Sequence, residues 1–270
     1  MSEHPSPANV LNGATRIHYI VGDPIAQVKS PAEVTRALQA QGRNAIVVPA
    51  HVSPRHLTDW VAAASLAQNV DSIIVTVPHK FACFELCTTT SERAAFLKTV
   101  NTMRRAAEGG WHGDMFDGLG FVTALQDKGF EPQGKSALLA GAGGAGSAIA
   151  HALVIAGVSR LAVHDTDATR RQALVDTLAG LGRCPVEHGS ADAAGFDLVV
   201  NATPAGMRPG DPYPVDVTRL QAGSMAACAI TAPAVSPFIA AARERGCGSL
   251  TGIEMFDRVK DLIVEFLLGR

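Results

Sequence analysis

Short apolar runs alternate with stretches of helical spacing along the whole chain. "RIHYIVG" (Arg16–Gly22) has the β-branched and aromatic content of a strand. "SPAEVTRALQAQG" (Ser30–Gly42) predicts a helix with Ser30 as N-cap, Pro31 in the first turn and Gly42 as the stop. "NAIVVPA" reads as a second strand, "SPRHLTDWVAAASLAQ" repeats the Ser-Pro helix start, and "VDSIIVTVP" is a third strand. Two short helical pieces follow, near Lys80–Cys87 and Ser91–Lys98. "TVNTMRR" and "GWHGDM" then read as paired strands around "AAEGG". After a helix over Asp117–Gly129 the βα alternation becomes more regular, through "KSALLAG", "SAIAHALVIAG", "RLAVHD", "TRRQALVDTLAGLG", "FDLVVNATP", "SMAACAI" and "SPFIAAARERG". The last segment, "MFDRVKDLIVEFLLG", has apolar residues at helical spacing. This pattern predicts two α/β domains with a boundary near Asp117 to Gln133.

Composition narrows the class. The 270 residues are 47% hydrophobic and 18% charged, with a net charge of −2, which speaks against a large basic surface for nucleic acid. No apolar run reaches the ~20 residues of a membrane span. The start, "MSEHPSPANVLNGATR", lacks a basic segment followed by an apolar one, so no secretory signal and a cytoplasmic location are expected. The five cysteines are odd in number and scattered, as in a reduced chain. Cys83 and Cys87, four apart on one helix, have no close partners to complete a metal site and read as an apolar face. The remaining histidines, His51 and His56 included, read as surface or loop residues.

One loop carries chemistry. "GAGGAG" places Gly141, Gly143 and Gly146 between an apolar strand and a helix. In that context Gly141 permits the turn, Gly143 lets backbone approach a pyrophosphate, and Gly146 allows close helix–strand packing. Helix N-terminal amides then face the phosphates, which makes Ala142, Gly144 and Ala145 cofactor contacts as well. The next strand ends at Asp165, 24 positions after Gly141, near the ~20-residue offset of a carboxylate that reaches the adenosine ribose. A carboxylate there accepts from ribose hydroxyls and repels a 2′-phosphate, so NAD is expected over NADP. Arg170 and Arg171 point the other way, although Arg170 also suits the adenine or a pair with Asp165.

The ordered motifs "VGDPIAQVKSP", "VTVPHK", "TVNTM", "GDMFDG", "GAGGAG" and "NATPAGM" together resemble the shikimate dehydrogenase family, quinate/shikimate members included, over nearly the whole chain. The resemblance implies an N-terminal α/β substrate domain (residues 1–116, completed by a C-terminal helix over 252–270) and a doubly wound Rossmann dinucleotide-binding domain (117–251). It also implies an oxidoreductase of the shikimate pathway. "HDTDATR" resembles the NAD-using members, whereas NADP-using members carry an Asn-Arg-Thr-like turn there.

By the same resemblance Lys80 and Asp117 form the catalytic pair, Lys80 facing substrate at the end of a strand that Pro78 terminates. Oxidising a secondary alcohol releases a hydride from carbon and a proton from oxygen, and an amine beside a carboxylate can take or return that proton. Ser30, Thr76 and Asn101 match substrate-binding positions, and Asn201, Thr203, Pro204 and Met207 lie in the loop that borders the nicotinamide. Taken alone, Lys80 reads as a solvated helix-start residue and Asp117 as an N-cap. Three positions depart from the family pattern: Val28 stands for a serine, Thr231 for a tyrosine and Val259 for a glutamine, two of which serve a substrate carboxylate. The expected function is therefore hydride transfer between NAD and a shikimate- or quinate-like cyclic polyol acid or a related compound, by a monomer or homodimer needing no metal. Three rivals stand beside it: a non-catalytic NAD- or metabolite-binding protein on this scaffold, a methylenetetrahydrofolate dehydrogenase, and metal-dependent oxidation through His112, Asp114 and Asp117.

Overall fold

The computed structural model describes residues 11–270; the first ten residues, read above for a secretory signal, lie outside the described part. The chain is α/β and divides into two compact units, one holding the described residues up to Asp114 together with Ile263–Arg270, the other Met115–Leu262.

The first unit is built on strands β1 (Arg16–Gly22), β2 (Ala45–His51), β3 (Val70–Val75), β4 (Thr89–Thr90), β5 (Thr102–Arg105) and β6 (Trp111–Asp114). Its helices are α1 (Ser30–Ala40), α2 (Leu57–Leu66), α3 (Lys80–Glu85) and α4 (Glu92–Leu97). The sheet runs β2-β1-β3-β5-β6-β4. β1, β2 and β3 are parallel, so their carboxyl ends open on one edge, while β5 and β6 form an antiparallel pair in the register Met103↔Gly113. Val21, Val34, Ile73 and Met103 are fully buried between sheet and helices.

The second unit opens with α5 (Asp117–Asp127) and continues β7 (Ser136–Ala140), α6 (Gly144–Ile155), β8 (Arg160–His164), α7 (Ala168–Ala179), β9 (Val186–His188), β10 (Leu198–Asn201), β11 (Met225–Cys228), α8 (Pro237–Glu244) and β12 (Gly248–Leu250), and it ends within α9 (Gly252–Leu267), whose residues from Ile263 on belong to the first unit. Its sheet is wholly parallel in the order β9-β8-β7-β10-β11-β12. Renumbered within the unit this is 3-2-1-4-5-6, the Rossmann order, with the direction of winding reversing between β7 and β10. Buried on both faces, β7 and β10 read as continuous apolar runs, and all four of the residues Leu138, Leu139, Val199 and Val200 are at most 1% exposed. α5 lies tight on α6, because a Cβ on Gly118 would stand 2.0 Å from the Ala148 carbonyl oxygen.

Local capping departs from expectation at three helices. Lys29, not Ser30, is the N-cap of α1, and no side chain caps it, since Lys29 already has helical angles (φ −94°, ψ −23°). Ser30 thus falls inside the first turn and is buried. The second Ser-Pro start forms a 3₁₀ turn over Pro54–His56 before α2 begins. Asp117 is likewise no N-cap: Phe116 holds that position and Asp117 is buried in the first turn of α5. Side-chain caps do form elsewhere, where the side chain reaches an amide in the first turn, as Ser91 does with Ala94 and Ser236 with Ile239.

Candidate active site

In the first unit, a set of backbone hydrogen bonds gathers the carboxyl ends of β1, β2 and β3. The Thr76 amide donates to Val21 O (3.0 Å), Asp23 N to Val77 O (3.0 Å) and Val52 N to Gly22 O (3.2 Å). Gly22 has no room for a side chain, since its Cβ would meet Thr76 Cγ2 at 2.5 Å. The chain then turns through Pro78, and His79 N donates to Thr76 O at 3.0 Å. The His79 ring is 1% exposed and its Nε2 donates to Val52 O at 2.7 Å. Lys80 follows, half-buried at the head of α3, with its carbonyl accepting from Val100 N at 3.1 Å. Asn101, 3% exposed, bonds by its backbone to Val75 N (2.7 Å) and to Asp114 O (2.9 Å). Thr76, Lys80 and Asn101 are therefore brought together around the end of β3, and Ser30 lies past the loop that leaves the same edge from β1.

His18 and His79 correct the reading of the histidines as surface or loop residues. Both are buried, because β1 and the turn after β3 place them on inward faces. His51 and His56 do lie at the surface. The metal reading fails on Asp114, whose carboxylate takes a two-pronged bond from Arg93 (2.8 and 2.6 Å) and another from Ser91. A guanidinium occupies the face a cation would need. His112 meanwhile bonds Thr89 Oγ1 at 2.9 Å and stacks on Phe266. Among the described residues no cluster of three or more metal-ligating side chains forms. Burial pushes the Cys83 and Cys87 thiols up to about 12; Cys83 lies in α3, whereas Cys87 falls just past the helix end at Glu85, so the two do not share one helix face.

In the second unit the three glycines of the loop after β7 differ in their surroundings. Gly141 adopts φ +103°, and a Cβ there would press on the Ala202 carbonyl at 2.8 Å. At Gly146 a Cβ would stand 1.9 Å from Gly141 O. Gly143 faces open space, with nothing within 4 Å. It is the N-cap of the 12-residue helix α6, and no side chain caps that helix. Open backbone at a helix N-terminus is what a pyrophosphate requires, so Gly143, Gly144 and Ala145 fit a dinucleotide, whereas Ala142 is buried with its amide bonded to Asp165. At the end of β8, His164 Nδ1 and Arg171 Nε are buried without a hydrogen-bond partner among the described residues, which fits a polar ligand arriving there. Arg170 is exposed and bonds Asp167 (3.2 Å).

The loop after β10 lies at the winding reversal. Asn201 is fully buried; its Oδ1 accepts from Thr203 N (3.0 Å) and Thr203 Oγ1 (2.7 Å), and its Nδ2 donates to Ala205 O (3.0 Å). These two side chains shape the loop from within, leaving Pro204 and Met207 exposed on it. Sequence reading missed Asp211, whose carboxylate accepts from Arg208 N and Gly206 N, both at 3.0 Å. Those amides, Arg208's foremost, hold it below the usual carboxylate range. An aspartate five residues beyond a loop glycine was the available signal. Val259 is buried against Gly120, and Thr231 is half-buried after β11.

The family described as "Shikimate dehydrogenase substrate binding domain" matches residues 20–103. A shikimate dehydrogenase (NADP(+)) of Rubrobacter xylanophilus is 35% identical over 247 residues, covering 90% of this chain and 87% of that protein. The chain belongs to the shikimate dehydrogenase family. Among solved structures, the quinate dehydrogenase of Corynebacterium glutamicum in complex with NAD superposes with a TM-score of 0.85 at 29% identity, over 95% of this chain and 94% of that one. The ligand-free 5-ketofructose reductase of Gluconobacter sp. strain CHM43 gives a TM-score of 0.82 at 26% identity, again over 95% and 94%.

Membership in the shikimate dehydrogenase family makes the chain one of a set of oxidoreductases and overturns the expectation of NAD over NADP. Relatives at this level of identity are shikimate dehydrogenases of the NADP(+) type. The physical reason lies in Asp165. It ends β8 as the offset requires, but its carboxylate is turned inward, 9% exposed, and accepts from Ala142 N (2.7 Å) and Asp167 N (2.8 Å). Spacing alone does not reveal that orientation.

Proposed function

We propose that this protein is a dehydrogenase that moves a hydride between a nicotinamide dinucleotide, NADP as in the names of its curated relatives, and a secondary alcohol of a shikimate-like cyclic polyol. The observation that carries the reading is 35% identity to the relative from Rubrobacter xylanophilus over 90% of this chain, joined to a glycine loop whose open position, Gly143, lies at an uncapped helix N-terminus. The bound dinucleotide would supply the hydride acceptor. The chain's own residues do the rest. Lys80 takes the hydroxyl proton during oxidation and returns it to the carbonyl oxygen during reduction. Asp117 is its carboxylate partner, accepting from the amine and stabilising the ammonium that forms when the proton arrives. Thr76 and Asn101 bond the ring hydroxyls, and Ser30 stands at the substrate's other end. The acid–base pair is worth roughly 10²–10⁴-fold in rate.

Substrate choice within this class turns on Val28, Thr231 and Val259. Val259 is buried against α5 and offers no polar atom. A hydrogen bond to a charged partner is worth ~1.5–3 kcal/mol, so lost carboxylate contacts weaken an acid substrate steeply. The likeness to a 5-ketofructose reductase favours a second reading, a neutral polyol or ketose in the same site. Steady-state kinetics on shikimate, quinate and 5-ketofructose with NADP and NAD separate the two. In the same assay Lys80→Met is expected to lower kcat by about 10²-fold or more while dinucleotide binding stays intact. Turnover unaffected by Lys80→Met would reject the acid–base assignment.

A further inference from the structure

Asp165 lies at the junction of two loops. Its Oδ2 accepts from the amide of Ala142, inside the glycine loop, and its Oδ1 from the amide of Asp167, the residue that caps α7. The preceding loop amide, Gly141 N, donates to His164 O at 2.8 Å. Two consecutive amides of the glycine loop are thus held by the end of β8, immediately before the open position at Gly143. Two cations flank Asp165: Arg170 Nη1 stands 4.0 Å from Oδ2, and Arg171 Nη1 donates to the Asp165 carbonyl oxygen at 3.4 Å.

Two oxygens engaged by amides of two different loops, on a carboxylate 9% exposed, describe a tie more than a ligand. We infer that Asp165 is a positioning residue: it holds the glycine loop in the shape that receives the dinucleotide's phosphates, and it does not choose between dinucleotides with and without a 2′-phosphate. This inference rests on the function proposed above and deepens it. It separates two properties that a strand-end carboxylate usually combines, affinity for the dinucleotide and selection of its ribose.

Asp165→Asn keeps the volume but turns an NH₂ group toward one of the two amides, donor against donor. Titration of wild type and Asp165→Asn with NADP and with NAD is the test. The dissociation constants of both are expected to rise by the same factor, on the order of tenfold, with their ratio unchanged to within about twofold. In the ligand-free wild type, the Ala142 amide is expected to be protected from hydrogen exchange, and Asp165→Asn to lose that protection. A ratio shifted by about tenfold or more toward NADP would overturn the inference, because the carboxylate would then be reading the ribose. So would an Ala142 amide that exchanges at the unprotected rate in wild type, a measurement that stands even if the variant does not fold. A wild-type protein that binds neither dinucleotide would reject the proposed function instead, a result distinct from either of these.

Discussion

His18 is an imidazole inside the first sheet, with Nδ1 2.6 Å from Ser72 Oγ. Burial pushes it down to about 4 from an ordinary 6.5, the field of Asp71 opposing and that of Arg16 adding to the shift. Well above pH 6.5 the ring is neutral in both folded and unfolded chains and contributes no pH dependence. As pH falls from there toward 4, the unfolded chain takes the proton and the native one does not, so stability is lost in that window. The full penalty is on the order of 3 kcal/mol. Thermal melts of wild type and His18→Asn at pH 7.5 and 5 check this. The wild type is expected to lose more stability on acidification, and equal losses would show that His18 is not the titrating group. Other single residues show how a type and a position underdetermine a role. Ser30, Asp117 and Asn201 all have cap-like or loop-like chemistry, yet the first two cap nothing and the third is buried within a turn.

At the scale of elements, contact between α5 and α6 is set by a glycine. Gly118 has the Ala148 carbonyl where its Cβ would be, and Ala152 Cβ 2.9 Å away. Gly118→Ala therefore forces the helices apart, and overpacking of this kind costs about 1–3 kcal/mol. A fall in Tm of several degrees is expected, and an unchanged Tm would mean that the two helices are not this close. Most elements were legible in the sequence because their signals are local: β1, α1, β3, β5, β6, α5 and the βα series after it all fall where pattern and turn residues put them. The elements that were not legible are β4, β9 and β12, of two or three residues each. Such strands exist because a neighbour offers ladder partners, as β8 does for β9 and β11 for β12. No periodicity can be read from three residues.

At the scale of the molecule, the chain is two units, and the function we propose puts the dinucleotide in Met115–Leu262. A ligand that binds one unit's native state stabilises it by about 2.7 kcal/mol at roughly a hundred times its dissociation constant. Hydrogen exchange followed with and without NADP is expected to show protection first in the peptides spanning residues 136–165 and 198–207. Protection confined to residues 16–51 instead would place the dinucleotide in the wrong unit. No described helix is long and apolar enough to cross a membrane.

The sequence by itself determined the fold class, the order of all but the shortest strands and helices, and the family, because period, glycine turns and motif order are properties of neighbours along the chain. Resemblance to the family, not the residues alone, marked Lys80 and Asp117 as the pair to test. Only the tertiary structure decided which partners the polar groups face. Asp165 looks like a ribose ligand in one dimension and is a tie between two loops in three. Asp114 looks like a metal ligand and is clasped by Arg93. A hydrogen bond depends on distance and direction across the fold, and those are fixed only when distant segments pack.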